Sequence, residues 1–343
     1  MQSITLTRPD DFHLHVRDGE AMASVIQASA RQFARAIIMP NLNPPVVTVH
    51  QAIDYRERIL ACLPKNSSFM PLMTLFLTEE TGVNEIAMAR DSGVVFAVKY
   101  YPAGATTNSE NGVRSIERVS PVLEALEEHG LLLLMHGEVT DPSVDIFDRE
   151  KVFIDTVLLP LLERFPGLRV VLEHITTSDA ADLVMNGPEN LAATITPQHL
   201  LLNRNALFAG GLRPHHYCLP VLKAEAHRLA IVNAATSGHP RVFLGTDSAP
   251  HARHLKESDY GCAGIYTALN AMELYADVFE NEGKLDKLEA FAGHHGADFY
   301  GLPRNTDTIT LIKEDWTIPE SVPFGADKLV PFRAGETCHW KFQ

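Results

Sequence analysis

His13 and His15 are separated by one residue in the stretch Asp11-Phe12-His13-Leu14-His15-Val16-Arg17-Asp18. In a β-strand every second side chain turns to the same face, so the two imidazoles point together. Two imidazoles side by side in an apolar interior suit a transition metal, the commonest partner of neutral histidine. With 16 histidines in 343 residues, chance supplies on the order of one such pair, so it gains meaning only if other strands deliver matching donors. Four other strand-like runs do. Lys99 sits inside the apolar run 94–101, and His136, His174 and Asp247 end the runs 131–136, 169–174 and 241–247.

Taken singly, each has a plainer reading. His136 or His174 can be a partly buried polar group satisfied by backbone, Lys99 a snorkelling or ion-paired lysine, and Asp247, in Gly-Thr-Asp-Ser, the N-cap of a following helix. Together they are too many donors for one tetrahedral metal with an open position, and they suit two metals about 3.5–4 Å apart. Lys99 is the odd member. An ammonium has no lone pair and repels cations, so this lysine must be neutral, displaced, or converted to an anionic ligand.

A repeating strand-and-helix architecture would bring these groups together. After the first strand, residues 20–34 carry Met22, Val25, Ile26 and Ala30 at helical spacing. Residues 35–41 form a continuous apolar run ending in Asn-Leu-Asn-Pro-Pro, as expected of a strand buried on both faces. The same reading gives helices over 49–60 and 83–90, the latter closed by Gly93, and strands over 69–77 and 94–101. Ser120-Pro121 opens a helix ended by Gly130, residues 148–165 form a helix bent at Pro160, and Ser178 caps a short helix stopped at Gly187. Residues 191–197 are the seventh strand and 241–247 the eighth; 260–279 and 284–300 read as helices, and Ile4–Thr7 as a short edge strand.

Eight apolar strands separated mainly by helices predict an α/β fold, a (β/α)8 TIM barrel. Two Rossmann-like domains are disfavoured, because no Gly-x-Gly-x-x-Gly follows a strand. We expect one domain over 1–343, with its core over about 10–300 and a C-terminal tail, 301–343, wrapping the barrel. The six donors would then sit at the C-terminal rim of the strands, where barrels of this kind carry their chemistry.

Composition narrows the function. A net charge of −14 argues against nucleic-acid or anionic-membrane partners. No apolar run reaches the length of a membrane span, and there is no basic patch followed by an apolar segment at the start. Cys62, Cys218, Cys262 and Cys338 form no Cys-x-x-Cys pair, which fits reduced thiols and a cytoplasmic location.

The ordered set His13-Leu14-His15, Lys99, His136, His174 and Asp247 resembles the binuclear amidohydrolase superfamily. Met39-Pro40-Asn41-Leu42, Lys99-Tyr100-Tyr101-Pro102, His136-Gly137-Glu138, Glu173-His174-Ile175, Gly245-Thr246-Asp247-Ser248-Ala249-Pro250-His251, Phe299-Tyr300-Gly301-Leu302-Pro303 and Pro331-Phe332-Arg333-Ala334-Gly335-Glu336-Thr337 look like the shorter, single-function dihydroorotases. The resemblance implies two divalent metal ions, with Zn2+ the default for hydrolytic sites. It places one on His13, His15 and Asp247 and the other on His136 and His174, bridged by Lys99 converted with CO2 to a carbamate (N6-carboxylysine).

The implied activity is interconversion of dihydroorotate and N-carbamoyl-L-aspartate in pyrimidine biosynthesis, by a metal-bridging hydroxide with Asp247 as general base and acid. Arg17, Asn41 and His251 would grip the substrate carboxylate, Leu219 and Ala263 would offer backbone groups, and Thr106 and Thr107 would lie on a loop that closes over substrate. The resemblance also implies a homodimer. His199, His215, His216, His254, His294 and His295 read as structural or surface histidines. A hydantoinase-like hydrolase is the first rival, disfavoured because a substrate without that carboxylate would not require Arg17, Asn41 and His251. A non-catalytic scaffold is the second, disfavoured because no ligand is missing.

Overall fold

The structure, a computed structural model, describes residues 2–343. In chain order the strands are β1 (Ser3–Thr7), β2 (Asp10–Leu14), β3 (Arg35–Ile38), β4 (Met70–Phe76), β5 (Val95–Tyr100), β6 (Leu132–His136), β7 (Val170–Glu173), β8 (Leu191–Ile195), β9 (Val242–Leu244), β10 (Thr308–Thr317), β11 (Val322–Phe324), β12 (Asp327–Leu329) and β13 (Thr337–Phe342). Strands β2 to β9 make one parallel sheet in sequential order. A parallel bridge between Leu14 and Ser248 brings its first and last edges together, so the sheet closes into the expected barrel.

Alternate residues divide between two apolar layers, as strand periodicity requires. Ile37, Leu72, Ala97, Leu132, Leu134, Val171, Ala192 and Phe243 pack in the interior, while Ile38, Met73, Val98, Leu133, Val170, Leu191 and Val242 meet the surrounding helices. Strand β2 is irregular. Its pairing with β3 slips between Asp11 and Leu14, and Phe12 joins the inner cluster while Leu14 joins the outer one.

The helices follow their sequence signals closely where caps are strong. Val83–Ser92 and Ser120–His129 both stop at a glycine in the left-handed region, Gly93 at φ 62° and Gly130 at φ 66°. Thr177 rather than Ser178 caps the helix Ser178–Asn186, its side chain accepting from Ala180 N. The helix expected to bend at Pro160 runs from Arg149 to Arg164 through a π turn, Ile154–Leu158, in which Leu159 N reaches back to Ile154 O. The wider turn relieves the clash that a proline ring makes with the preceding turn.

Two regions differ from the sequence reading. The helix expected over 260–279 begins only at Ala271. Residues 261–270 are instead loop: Gly261 and Gly264 hold positive φ, and Ile265 and Tyr266 bridge to Ser248 and Pro331. The tail is also more regular than a wrapped coil, because β1, β10 and β13 form an antiparallel three-stranded sheet and β11 and β12 a hairpin. Ile309 and Leu311 alternate with more exposed neighbours, and Trp340 is fully buried. Among the described residues, no helix is long and apolar enough to cross a membrane.

The barrel floor depends on a glycine. A Cβ at Gly296, on the helix His295–Tyr300, would lie 2.1, 2.5 and 2.7 Å from ring carbons of Phe12. Gly296→Ala should therefore cost about 1–3 kcal/mol by overpacking, read as a lower urea midpoint at unchanged m-value.

Candidate active site

The seam of the barrel sets the first three donors. Asp11, fully buried, accepts from Thr246 N at 2.9 Å, Thr246 Oγ1 at 2.6 Å and His13 N at 3.1 Å. Asp247 N donates to His13 O at 2.9 Å, and His15 N to Ser248 O at 3.1 Å. A Cβ on Gly245 would stand 2.7 Å from Thr194 Cβ and 3.1 Å from His13 Cβ, so only glycine lets the last strand approach the first this closely. The result is a triangle of donor atoms. His13 Nε2 and His15 Nε2 are 3.2 Å apart, and Asp247 Oδ1 lies 3.3 Å from the first and 3.2 Å from the second. Ligands at 2.0–2.1 Å around a tetrahedral zinc are separated by about 3.3–3.4 Å, so this donor set fits such an ion without rearrangement.

The remaining donors lie deeper. Ring centroids of His13 and His174 are 4.9 Å apart and those of His174 and His136 4.8 Å. Lys99 Nζ is wholly buried, 4.9 Å from the centre of the Tyr101 ring and pressed against Glu173 Oε2. His174 reaches this cluster through its backbone. Strand alternation turns Val171 and Glu173 inward and would send His174 outward, but a φ of 42° re-aims it, with His174 N anchored on Thr194 Oγ1 at 2.8 Å. Asp247 at φ 44° and Arg17 at φ 61° are likewise left-handed. Such conformations cost on the order of 1 kcal/mol or more for a non-glycine residue, and three of the five among the described residues fall on residues singled out from sequence.

Arg17, Asn41, Thr106, Thr107, Leu219 and Ala263 line one small cavity of about 20 Å³ together with His15 and Asp247. His251 stands behind it: Arg17 donates to His251 Nε2 at 2.9 Å and to Pro250 O at 2.9 Å, while Tyr55 Oη holds Arg17 O at 2.6 Å. The loop lies down over the cavity. Asn41 Nδ2 donates to Thr107 O and Asn108 Nδ2 to Asn41 O, each at 3.0 Å. A groove of about 860 Å³ between Arg8, Arg31 and Phe342 contains none of these groups.

Burial dominates the electrostatics. It lowers His13, lowers His15 to about 4 against the pull of Asp247, and pushes His174 well below its usual range with help from His136. At neutral pH these imidazoles are uncharged and offer lone pairs. Burial also pushes Lys99 far below the ordinary ammonium range, which favours the free amine. Burial alone would raise Asp247, but hydrogen bonds from His13 and His15 hold it well below the usual carboxylate range. Burial takes His251 down to about 2, with Arg17 adding to it. A guanidinium only donates, so His251 Nε2 must accept.

No protein-family model matches the chain. The chain is 63% identical to a dihydroorotase of Acaryochloris marina over 99% of both sequences. Among solved structures, a dihydroorotase from Campylobacter jejuni superposes with a TM-score of 0.91 at 34% identity, covering 99% of this chain and 97% of that one. A Saccharomyces cerevisiae dihydroorotase in complex with 5-fluoroorotic acid gives 0.90 at 32% identity, covering 100% and 99%. The chain belongs to the dihydroorotase family. It is thereby a hydrolase of the kind that acts on a cyclic amide in pyrimidine biosynthesis.

Against that family background, the structure brings forward residues that sequence reasoning left without a role. Glu173 Oε1 lies 3.0 Å from His13 Nδ1, and Glu138 Oε2 lies 2.7 Å from His136 Nε2. A carboxylate hydrogen-bonded to one nitrogen of a histidine, as Glu138 is to His136, fixes the tautomer and leaves the other nitrogen free to ligate. A signal existed: Glu173 has the inward parity of β7, and Glu138 the parity of His136. Tyr101, whose hydroxyl is buried without a hydrogen bond, gave none.

His199 stays a structural histidine, hydrogen-bonded to Thr196 Oγ1 at 2.7 Å and Pro220 O at 3.0 Å, with burial lowering it to about 4. Its folded value lies below the unfolded 6.5, so between those values the unfolded chain binds the extra proton. Stability is therefore lost as pH falls from 6.5 toward 4, by up to about 3 kcal/mol from this residue. His199→Gln should flatten that part of the pH-stability curve of the metal-stripped protein, measured by urea denaturation at each pH.

Proposed function

We propose that this chain interconverts dihydroorotate and N-carbamoyl-L-aspartate. His13, His15 and Asp247 would hold one divalent ion, and His136 and His174 a second, with Lys99 as a carbamate between them. Bound there, two ions, most simply Zn2+, supply a water acidified toward neutrality and positive charge for the carbonyl oxygen of the scissile amide. The reading is carried by the triangle of His13, His15 and Asp247 donor atoms at tetrahedral spacing, one cavity wall from Arg17.

Each residue then has a task that follows from its surroundings. The Lys99 nitrogen, its free-amine form favoured by burial, can attack CO2: a nitrogen–carbon bond forms, a proton leaves, and a neutral amine becomes an anionic ligand. Asp247, kept ionised, accepts the proton of the attacking water and returns it to the ring nitrogen as the amide bond breaks. In ring closure the same carboxylate works in reverse. Arg17 presents a fork for the substrate carboxylate, with Asn41 and His251 beside it and backbone of Leu219 and Ala263 closing the pocket. Thr106 and Thr107, held over the cavity through Asn41, would part to admit substrate and close to exclude water. The four cysteines are free, which supports action in the cytoplasm, and we assign the working form as a homodimer of single-domain chains.

Two measurements test this. Metal-loaded protein should hydrolyse dihydroorotate and leave dihydrouracil, the same ring without the carboxylate, essentially untouched; comparable turnover of both would sink the carboxylate pocket. D247N should keep two metals per chain yet lose at least about 100-fold in kcat, and a near-normal rate would remove Asp247 from proton transfer.

A further inference from the structure

Lys256 belongs to neither the donor cluster nor the cavity wall, yet it is 4% exposed. It ends the short helix Arg253–Lys256, and its ammonium donates to Tyr217 O at 2.8 Å, Cys262 O at 2.9 Å and Gly264 O at 2.5 Å. An ammonium has three N–H groups, and all three are used on backbone carbonyls. Those carbonyls come from two separate loops. One runs from Tyr217 to Leu219; the other is Cys262-Ala263-Gly264, joined to the first by Gly264 N donating to Tyr217 O at 3.0 Å. These loops bring Leu219, Ala263 and Gly264 to the cavity.

The second loop also backs His251. A Cβ on Gly264, at φ 142°, would stand 2.9 Å from His251 Cδ2 and 2.7 Å from Ala249 O. The loop backbone thus packs directly on the imidazole that meets Arg17. We propose that Lys256 is a positioning residue for the carboxylate end of the substrate, tying both loops so that Leu219, Ala263 and His251 face Arg17 at a fixed distance. The inference rests on the carboxylate pocket described under Proposed function. No other side chain type does this as well: a neutral residue of the same length lacks the donors, and the planar arginine fork does not match three carbonyls gathered about one point.

The test uses metal-loaded protein, with Lys256→Met and Lys256→Arg. Lys256→Met should raise KM for dihydroorotate at least about tenfold while kcat stays within about threefold and two metals remain bound; Lys256→Arg should raise it by about threefold. Amide hydrogen exchange over residues 217–221 and 260–265, followed without substrate, should quicken at least about tenfold in Lys256→Met and hardly elsewhere. Wild-type KM or unchanged exchange in a folded variant overturns the proposal, as does a parallel loss of kcat and metal, which would make Lys256 a general support of the fold. If Lys256→Met does not fold, Lys256→Arg and Lys256→Gln carry the same KM and exchange comparison. Should wild type fail to turn over dihydroorotate, the proposed function falls, and the exchange measurement still decides the clamp.

Discussion

The interaction on which the rest depends is the seam where the last barrel strand meets the first. One buried carboxylate, Asp11, gathers the backbone and hydroxyl of Thr246 and the backbone of His13, and Asp247 N binds His13 O beside it. These contacts close the sheet, and in doing so they set His13, His15 and Asp247 against one another at ligand spacing. Fold closure and donor geometry are one set of hydrogen bonds. Gly245 makes the approach possible, since any side chain there would collide with Thr194 and His13.

Such a centre is costly in the absence of partners, because it places imidazoles, carboxylates and an amine in an interior of low polarity. The molecule answers by changing protonation. Burial leaves His13, His15 and His174 neutral and favours the free amine of Lys99, the forms of imidazole and amine that carry a free lone pair. Glu138 holds the His136 ring by a hydrogen bond to Nε2, and Glu173 Oε1 stands 3.0 Å from His13 Nδ1. Left-handed backbone at His174 and Asp247 is the remaining expense, tolerated because Thr194 and His13 hold the adjacent N–H groups.

Beyond this core, the walls of the small cavity are loops that are fastened to one another. Arg17 is fixed by Tyr55 and Pro250, Asn41 by the loop over the cavity, and the Leu219 and Ala263 segments by carbonyls converging on Lys256. The rim is therefore far less free than a run of glycine, threonine and asparagine suggests. Loops that carry binding groups usually borrow rigidity from the scaffold, and here buried cations and a tyrosine hydroxyl supply it.

Local pattern was sufficient for the barrel. Eight continuous apolar runs, each ended by a turn or a cap, fix strands buried on both faces, and Lys99 and His136 take their places from the period of two along β5 and β6. The chain also carries its helix stops openly, at Gly93 and Gly130. What it does not carry is any contact made across hundreds of residues. The pairing of β1 with β10, the irregular course of 261–270, the turn that brings His174 inward beside Glu173, and the three carbonyls around Lys256 each depend on a partner supplied by another part of the fold. The sequence by itself determined which residues repeat along a strand or helix; tertiary structure alone decided which backbones meet, because hydrogen bonds between distant segments leave no period in the chain.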